Sequence, residues 1–417
     1  MRKRRPRPVG SLVAALDIGS SKLCCFLARI EDGGPRIVGI GHQVSRGLRG
    51  GLIIDIEAAS QAILATVHAA EEMAGETISE VVVNLSGGFG ASRIIKTEIP
   101  LNGREIGNNE MRRVLNQGYH LKEAGEREVI HSIPVGFSID GSRGIRDPRG
   151  MFGQSLGVNM NIVAATTAAV RNLATCIARC RLEIAAVVVS PYGSGLSALV
   201  PDESELGVTV IDMGGGTTGI AVFFDGNLVF TDSIPVGGIH VTNDIARGLS
   251  TPVAHAERMK TLHGSAITSP GDQRETISVP QVGEEEDGEV AHVQKSLLVG
   301  IISPRLEETF ELVRNSLEAS GFDKLAGRRV VLTGGAAQLT GVRELAGLIL
   351  DKQVRIGKPL RIAGLAEATG GPAFATSAGL VQFALSERAE TLRQGRALAE
   401  EPSGFMGRFG VWIREHF

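Results

Sequence analysis

A chain of 417 residues is too long for one ordinary hydrophobic core, so two or more domains are expected. Hydrophobic residues at 43% and charged residues at 21% place it among soluble globular proteins rather than disordered chains. A formal net charge of −3 provides no field to gather nucleic acid, and no uncharged apolar run reaches the ~18 residues of a membrane span.

The chain opens on a basic tail with Arg2, Lys3, Arg4, Arg5 and Arg7. The apolar stretch after it is broken by Asp17 and Lys22, so it does not read as a signal peptide. The tail reads as a solvated segment, with an anionic lipid or nucleic-acid surface as the alternative. Val13 to Phe26, VAALDIGSSKLCCF, is an apolar strand, Asp17, a Gly19-Ser20-Ser21-Lys22 loop and a second apolar strand. A third strand follows at Ile37–Ile40. The spacing of Ile56, Ala59, Ile63, Val67 and Ala70 predicts a helix over 56–73, and Val81–Val83 a buried strand.

Residues 85 to 162 change character. Strands are expected at Arg93–Ile99, Val129–Ile139 and Gly157–Ala165, with a helix capped by Asn109 and running to Lys122. This stretch reads as a small inserted α+β subdomain. A helix over Thr166–Arg181 and a strand over Ala185–Val189 return to the main pattern.

Val210 to Val222, VIDMGGGTTGIAV, repeats the first design about half a chain later. Glycines at 214, 215 and 216 let backbone N–H groups approach an anion, and Thr217 and Thr218 add hydroxyl donors. Asp212, ending a buried strand, can face a cation bound with that anion. The glycines match a dinucleotide fingerprint in spacing, but the β-rich run after Gly219 argues against the helix that fingerprint requires. Two such units suggest a duplicated core whose loops close on one phosphate tail.

Helices are expected after the Pro235-Val236-Gly237-Gly238 turn to Leu249, from Pro252 to Met259 with Lys260 at its end, and from Pro304 to Ser320. Gly264–Gln294, with the acidic run Glu284–Asp287 and Glu289, reads as polar and partly flexible. Val330 to Val342, VVLTGGAAQLTGV, is a third glycine loop between a strand and a helix over Val342–Leu350. Gly334 and Gly335 leave room for a flat base against the backbone. Phe374–Leu385 is a further apolar helix, 386–403 has linker composition, and GFMGRFGVWIREHF closes the chain. Phe405, Met406, Phe409, Trp412, Ile413 and Phe417 share a wide apolar helix face flanked by arginine, as in a helix lying in a membrane interface. Docking on the protein's own core is the alternative. Cys24, Cys25, Cys176 and Cys180 read as buried reduced thiols of a reducing cytoplasm; the spacing of Cys176 and Cys180 also suits a pair of metal ligands, without a second pair.

The paired strand–Asp–loop–strand units and the LTGGAA loop resemble the superfamily of actin, heat-shock chaperones and sugar kinases. The closer resemblance is to the FtsA family, the actin-like bacterial cell-division proteins that anchor FtsZ to the membrane. It rests on SRGLRGGLIIDIEA at 45–58, HSIPVGFSID at 131–140, VVLTGGAAQLTGV at 330–342, QVRIGKPLRIAGL at 353–365 and the terminal helix. The resemblance implies an α/β, actin-like duplicated two-domain fold with an inserted subdomain and a C-terminal amphipathic helix. The implied division is a basic tail at 1–11; domain IA at 12–84, 163–194 and 371–385; domain IC at 85–162; domain IIA at 195–246 and 298–370; domain IIB at 247–297; a linker at 386–403; and a membrane-targeting helix at 404–417.

The resemblance further implies ATP and Mg²⁺ as ligands. Gly19, Ser20, Ser21 and Lys22 match the first phosphate loop, and Gly214, Gly215, Gly216, Thr217 and Thr218 the second. Asp17 and Asp212 match the acidic positions near Mg²⁺, acting through water. Glu257, Lys260, Gly334, Gly335, Ala336 and Gln338 match the adenosine contacts. Arg305 matches a basic position on the surface that receives the C-terminal peptide of FtsZ; an ordinary exposed arginine is the alternative. Later division proteins would bind domain IC, the chain would self-associate into polymers, and the terminal helix would hold it to anionic lipid on the cytoplasmic face at the division site. No nucleic-acid partner is expected. The segment 187–195, VVVSPYGSG, holds no Gln or Glu to orient a water, so at most weak ATPase activity is expected. The rival readings are a small-molecule kinase of the same superfamily and another actin-like scaffold, pilus-assembly or MreB-like.

Overall fold

The computed structural model describes residues 8–119, 125–283, 291–360 and 362–386. The basic residues 2–7, the acidic run at 284–289, the linker from 387 and the terminal helix lie outside the described residues.

The first half begins with an antiparallel meander, β1 (Leu12–Ile18), β2 (Lys22–Glu31) and β3 (Gly34–Val44). A short hairpin, β4 (Leu48–Arg49) and β5 (Leu52–Ile53), leads into α1 (Ile56–Ala74). Asp55 caps α1 by accepting from the Ala58 N–H at 3.0 Å, and Gly75 ends it in the left-handed region at φ 69°. Ala59, Ile63, Val67 and Ala70 are buried on one face, as their spacing predicts. β6 (Glu80–Leu85) then pairs parallel with β1.

Between β6 and the return to this sheet stand β7 (Arg93–Pro100), α2 (Asn108–Tyr119), β8 (Arg127–Ile139), β9 (Ser142–Ile145) and β10 (Ser155–Thr166). They form a separate sheet of order β7-β10-β8-β9, with a core of its own that includes Ile106, Val114, Leu156 and Met160. α3 (Thr167–Arg179) and β11 (Glu183–Val189) complete the first sheet, in order β11-β6-β1-β2-β3.

Two helices join the halves, α4 (Ser190–Ala198) and α5 (Pro201–Leu206). The second half repeats the first. β12 (Val208–Met213), β13 (Thr218–Phe224) and β14 (Asn227–Ile234) form the meander, α6 (Gly238–Gly248) and α7 (Val253–His263) follow, and β15 (Thr276–Val279) pairs with β16 (Ala291–Gln294). α8 (Lys295–Ser320), β17 (Arg329–Thr333), α9 (Val342–Leu350) and β18 (Gln353–Ile356) complete the sheet, in order β14-β13-β12-β17-β18. Both sheets join an antiparallel meander to two parallel strands on the far side of its first strand. α10 (Ala375–Leu385) returns to lie against α4 and β1.

Three elements depart from the sequence reading. α8 begins at Lys295, not Pro304, because Leu298, Val299 and Ile302 bury the same face as Leu306 and Phe310; Pro304 sits inside it, four residues after Gly300. Residues 276–279 form a strand with alternating burial, Ile277 and Val279 inward, within the stretch read as polar. The glycine-rich SPYGSG is helical: Pro191 occupies its first turn, where the missing N–H costs nothing.

Candidate functional site

Asp17 and Asp212 are the penultimate residues of β1 and β12, each the central strand of its sheet. The loops after them fold alike. The Gly19 N–H donates to the Lys22 carbonyl at 3.1 Å, and the Gly214 N–H to the Thr217 carbonyl at 2.9 Å. The loops then meet. A methyl added to Gly215 would lie 2.7 Å from Ser21 Oγ, and one on Gly216 2.4 Å from Ser20 Oγ, so only glycine fits this approach. The N-terminus of α6 backs the second loop: Gly238 and Ile239 N–H groups donate to the Gly214 and Gly215 carbonyls at 3.0 and 2.8 Å. Thr218 Oγ1 donates to the Val236 carbonyl at 2.8 Å, so that hydroxyl is committed to the frame.

Both aspartates are buried; α10 bonds to both, α4 to Asp212 directly and to Asp17 by way of Asn84. Consecutive residues of α10 reach across the halves: Thr376 Oγ1 donates to Asp212 at 3.2 Å and Ser377 Oγ to Asp17 at 3.1 Å. From α4, Ser194 Oγ donates to Asp212 at 2.8 Å. Asn84, in β6, donates to Asp17 Oδ1 at 2.8 Å and to Ser190 Oγ at 3.0 Å, while accepting from the Ile18 N–H at 2.5 Å. These residues were not found from sequence. Asn84 had a signal, a lone amide in the apolar run VVVNL; the hydroxyls of α4 and α10 had none, since serine and threonine in a small-residue helix look the same wherever they point.

Burial, opposed by Lys22 and reinforced by the Asp212 charge, raises the Asp17 carboxyl to about 6. Burial also raises Asp212, while Ser194 and Thr376 oppose it. Lys22 is held down by burial. Its Nζ lies 3.3 Å from the centroid of Phe374 and has no hydrogen-bond partner among the described residues. An unpaired ammonium beside two glycine loops fits an anion, and two buried carboxylates, one raised by the charge of the other, fit a divalent cation.

The third glycine loop joins the same place. Gly334 has φ 87°, and a methyl there would lie 2.5 Å from both Asp212 Oδ1 and the Met213 carbonyl. Lys260 Nζ donates to the Gly238 carbonyl at 3.1 Å and pairs with Glu257 at 2.7 Å; Ala336 stands against Gly238. Gln338 Nε2 donates to the Gly335 carbonyl at 3.3 Å. Arg305 lies elsewhere, on α8. It donates to Asp244 of α6 at 2.5 Å and to Glu308, a structural clamp between two helices. Cys176 of α3 and Cys180, which caps that helix, are turned onto α1, their Sγ atoms donating to the Ile56 and Ser60 carbonyls at 3.7 and 3.4 Å. A groove of about 540 Å³ lined by Gly33, Pro35, Ile362, Gln382, Leu385 and Ser386 contains none of these groups.

Two sheets of one topology, facing each other through paired Asp–Gly loops, define a protein of actin-like fold. The PilM-PilN type IV pilus biogenesis complex superposes with TM-score 0.63 at 18% identity, covering 91% of this chain and 100% of that one. MreB5 of Spiroplasma citri bound to ADP gives 0.54 at 14% identity, covering 93% and 99%. Within that fold the chain belongs to the FtsA family of cell division proteins. The family model for cell division protein FtsA matches residues 209–379, and that for the SHS2 domain inserted in FTSA matches 90–164. Cell division protein FtsA of Rhizobium meliloti is 44% identical over 431 residues, covering 100% of this chain and 97% of that protein. The Pseudomonas aeruginosa protein is 33% identical over 414 residues, covering 98% and 99%. The Escherichia coli protein is 31% identical over 418 residues, covering 97% and 98%.

Proposed function

We propose that this chain binds ATP with Mg²⁺ between its two halves and uses the bound state to control self-association at the division site. The observation that carries this reading is the meeting of both Asp–Gly loops at Ser20 and Ser21, next to Lys22, whose Nζ is buried and unpaired among the described residues. Gly19, Ser20, Ser21 and Lys22 from one half, and Gly214, Gly215, Gly216 and Thr217 from the other, would hold the phosphates through N–H groups, hydroxyls and one ammonium; Thr218 would brace its loop. Asp17 and Asp212 would face the cation through water. Glu257, Lys260, Gly334, Gly335, Ala336 and Gln338 would hold the adenosine. When bound, Mg²⁺ supplies charge neutralisation between the phosphates and the aspartates.

Turnover is expected to be weak. Asn84 of β6, the amide beside Asp17, is already committed to Asp17, Ser86, Ser190 and the Ile18 N–H, and the group that 187–195 adds to this network is the hydroxyl of Ser190. Neither can serve as a base for water.

Family membership supports the remaining roles: tethering FtsZ filaments, through a surface around 247–297 and α8, to the inner face of the cytoplasmic membrane, and recruiting later division proteins through the inserted domain. The Arg305 clamp leaves that residue a supporting part in the FtsZ surface. The apolar face of 404–417 would bind lipid reversibly as one helix and tightly as several on a polymer. Co-sedimentation with anionic liposomes and FtsZ tests this. Full-length chain with ATP is expected to carry FtsZ to the pellet, and deletion of 404–417 to abolish that while ATP binding persists. Unchanged pelleting of the deleted chain would sink the anchor.

A further inference from the structure

Asn84 touches Asp17 but has no part in holding the nucleotide. It is 1% exposed and stands in β6, between β1 and β11, with Val83 and Leu85 on either side of it in the chain. An amide at such a position costs stability unless both its ends are bonded. Both are bonded here. Oδ1 accepts from the Ile18 N–H at 2.5 Å. Nδ2 lies 2.8 Å from Asp17 Oδ1, 3.0 Å from Ser190 Oγ and 3.1 Å from Ser86 Oγ.

These partners fix which way the amide points. A backbone N–H can only donate, so the Ile18 N–H requires the oxygen on its side and the NH2 turns to Asp17. Flipped, the amide would set its oxygen against a carboxylate and its NH2 against an N–H. One rigid, planar group thus holds both the carboxylate of Asp17 and the N–H of the next residue, which pins the Asp17 side chain to its own strand. Ser377 Oγ donates to the other oxygen, Asp17 Oδ2, at 3.1 Å. Each Asp17 oxygen is held by a donor and keeps lone-pair capacity for the water shell of a cation.

Asp212 is held differently. Its donors, Ser194 and Thr376, are hydroxyls on the one oxygen Oδ2, and hydroxyls rotate. The back of Asn84 is anchored as well. Ser86 Oγ and Ser190 Oγ lie 2.9 Å apart, Ser86 Oγ donates to the Ile18 carbonyl at 3.3 Å, and Ser233 Oγ of β14 donates to the Ser86 carbonyl at 3.2 Å. The groups behind a metal-facing side chain set its orientation and thereby the strength of metal binding.

We propose that Asn84 is a positioning residue for the cation: it fixes Asp17 in the orientation that receives the water shell of Mg²⁺, and so sets how strongly Mg²⁺ tightens nucleotide binding. The role rests on the nucleotide reading above, and Asn84 acts through Asp17 alone.

The test titrates the full wild-type chain and Asn84→Ala with ATP, in excess Mg²⁺ and in EDTA. The ratio of the two affinities is the Mg²⁺ enhancement. Asn84→Ala is expected to keep ATP affinity in EDTA within about threefold of wild type and to lose about tenfold or more in Mg²⁺, the scale on which partners of metal-orienting groups act. A residue that only packs β6 would lower both affinities alike. Equal losses, or an unchanged enhancement, overturn this proposal alone. A wild-type chain that binds ATP equally in both solutions overturns the cation part of the nucleotide reading, and one that binds no ATP overturns that reading and this one with it. Should the variant fail to fold, a crystal structure of the wild-type chain with Mg²⁺ and a non-hydrolysable ATP analogue decides. Asn84 Nδ2 is expected to stay within hydrogen-bond reach of Asp17, with a Mg²⁺-bound water on the same carboxylate. An Asp17 turned away from Asn84, or one that meets no such water, overturns the assignment.

Discussion

Lys22 carries its ammonium onto the ring of Phe374, with Asp17 and Asp212 answering its charge at a distance. Burying an ammonium without hydrogen bonds destabilises a fold, so the nucleotide-free protein bears a cost there that an anion would relieve. Lys22→Met keeps the packing and removes the charge. It is expected to raise the thermal midpoint of the nucleotide-free chain while weakening ATP binding, an opposition of signs that a purely structural lysine would not give. Asp17 makes a matching prediction with pH. Its carboxyl is ordinarily near 3.8 and is raised to about 6 here, so below pH 4 it is protonated folded or unfolded and its contribution is fully present. As pH rises through 6 the unfolded chain ionises first and stability falls, by roughly 3 kcal/mol for a shift of about two units. Denaturant titrations of Mg²⁺-free protein between pH 4 and 7 should show this slope in the wild type and a shallower one in Asp17→Asn. Equal slopes would mean that Asp17 does not hold its proton in the fold.

α4 and α10 are the elements that make two loops into one site. They cross so closely that a methyl on Gly379 would lie 1.7 Å from the Gly193 carbonyl. That crossing fixes Thr376 and Ser377 on one aspartate each. Gly379→Ala must spread the helices, and overpacking of this kind costs on the order of 1–3 kcal/mol or more. The expected result is a lower thermal midpoint together with weaker nucleotide binding; full binding in the destabilised variant would separate the crossing from the site. Neither helix was legible as part of the site. The meanders were, because strand periodicity and an Asp–Gly loop are local signals, and α9 begins and ends where the sequence places it. α4 was hidden by glycines that serve packing: Gly195 makes room for Phe223 and Gly193 for α10. Contacts from 360 residues away, such as Ser377 to Asp17, are set by tertiary packing, which local composition does not encode.

At the scale of the whole molecule, two halves of one topology are joined by more than their connecting helices. The inserted sheet belongs to the first half in chain order, yet it covers the edge of β14 in the second. The Ser92 N–H donates to the Thr231 carbonyl at 2.8 Å, the Thr231 N–H to Ser92 Oγ at 3.0 Å, and buried Asn161 to the Leu228 carbonyl at 3.0 Å. An edge strand with open N–H and carbonyl groups invites pairing with other chains, and the insert closes this one. The central claim is that the Asp–Gly loops of both halves bind a single ATP with Mg²⁺. Isothermal titration of the full chain tests it most directly, with Lys22→Met from one half and Asp212→Asn from the other. The account predicts one saturable ATP site in the wild type and a loss of about tenfold or more in each variant. A wild-type chain with no saturable ATP binding, or either variant binding as tightly as the wild type, would contradict it.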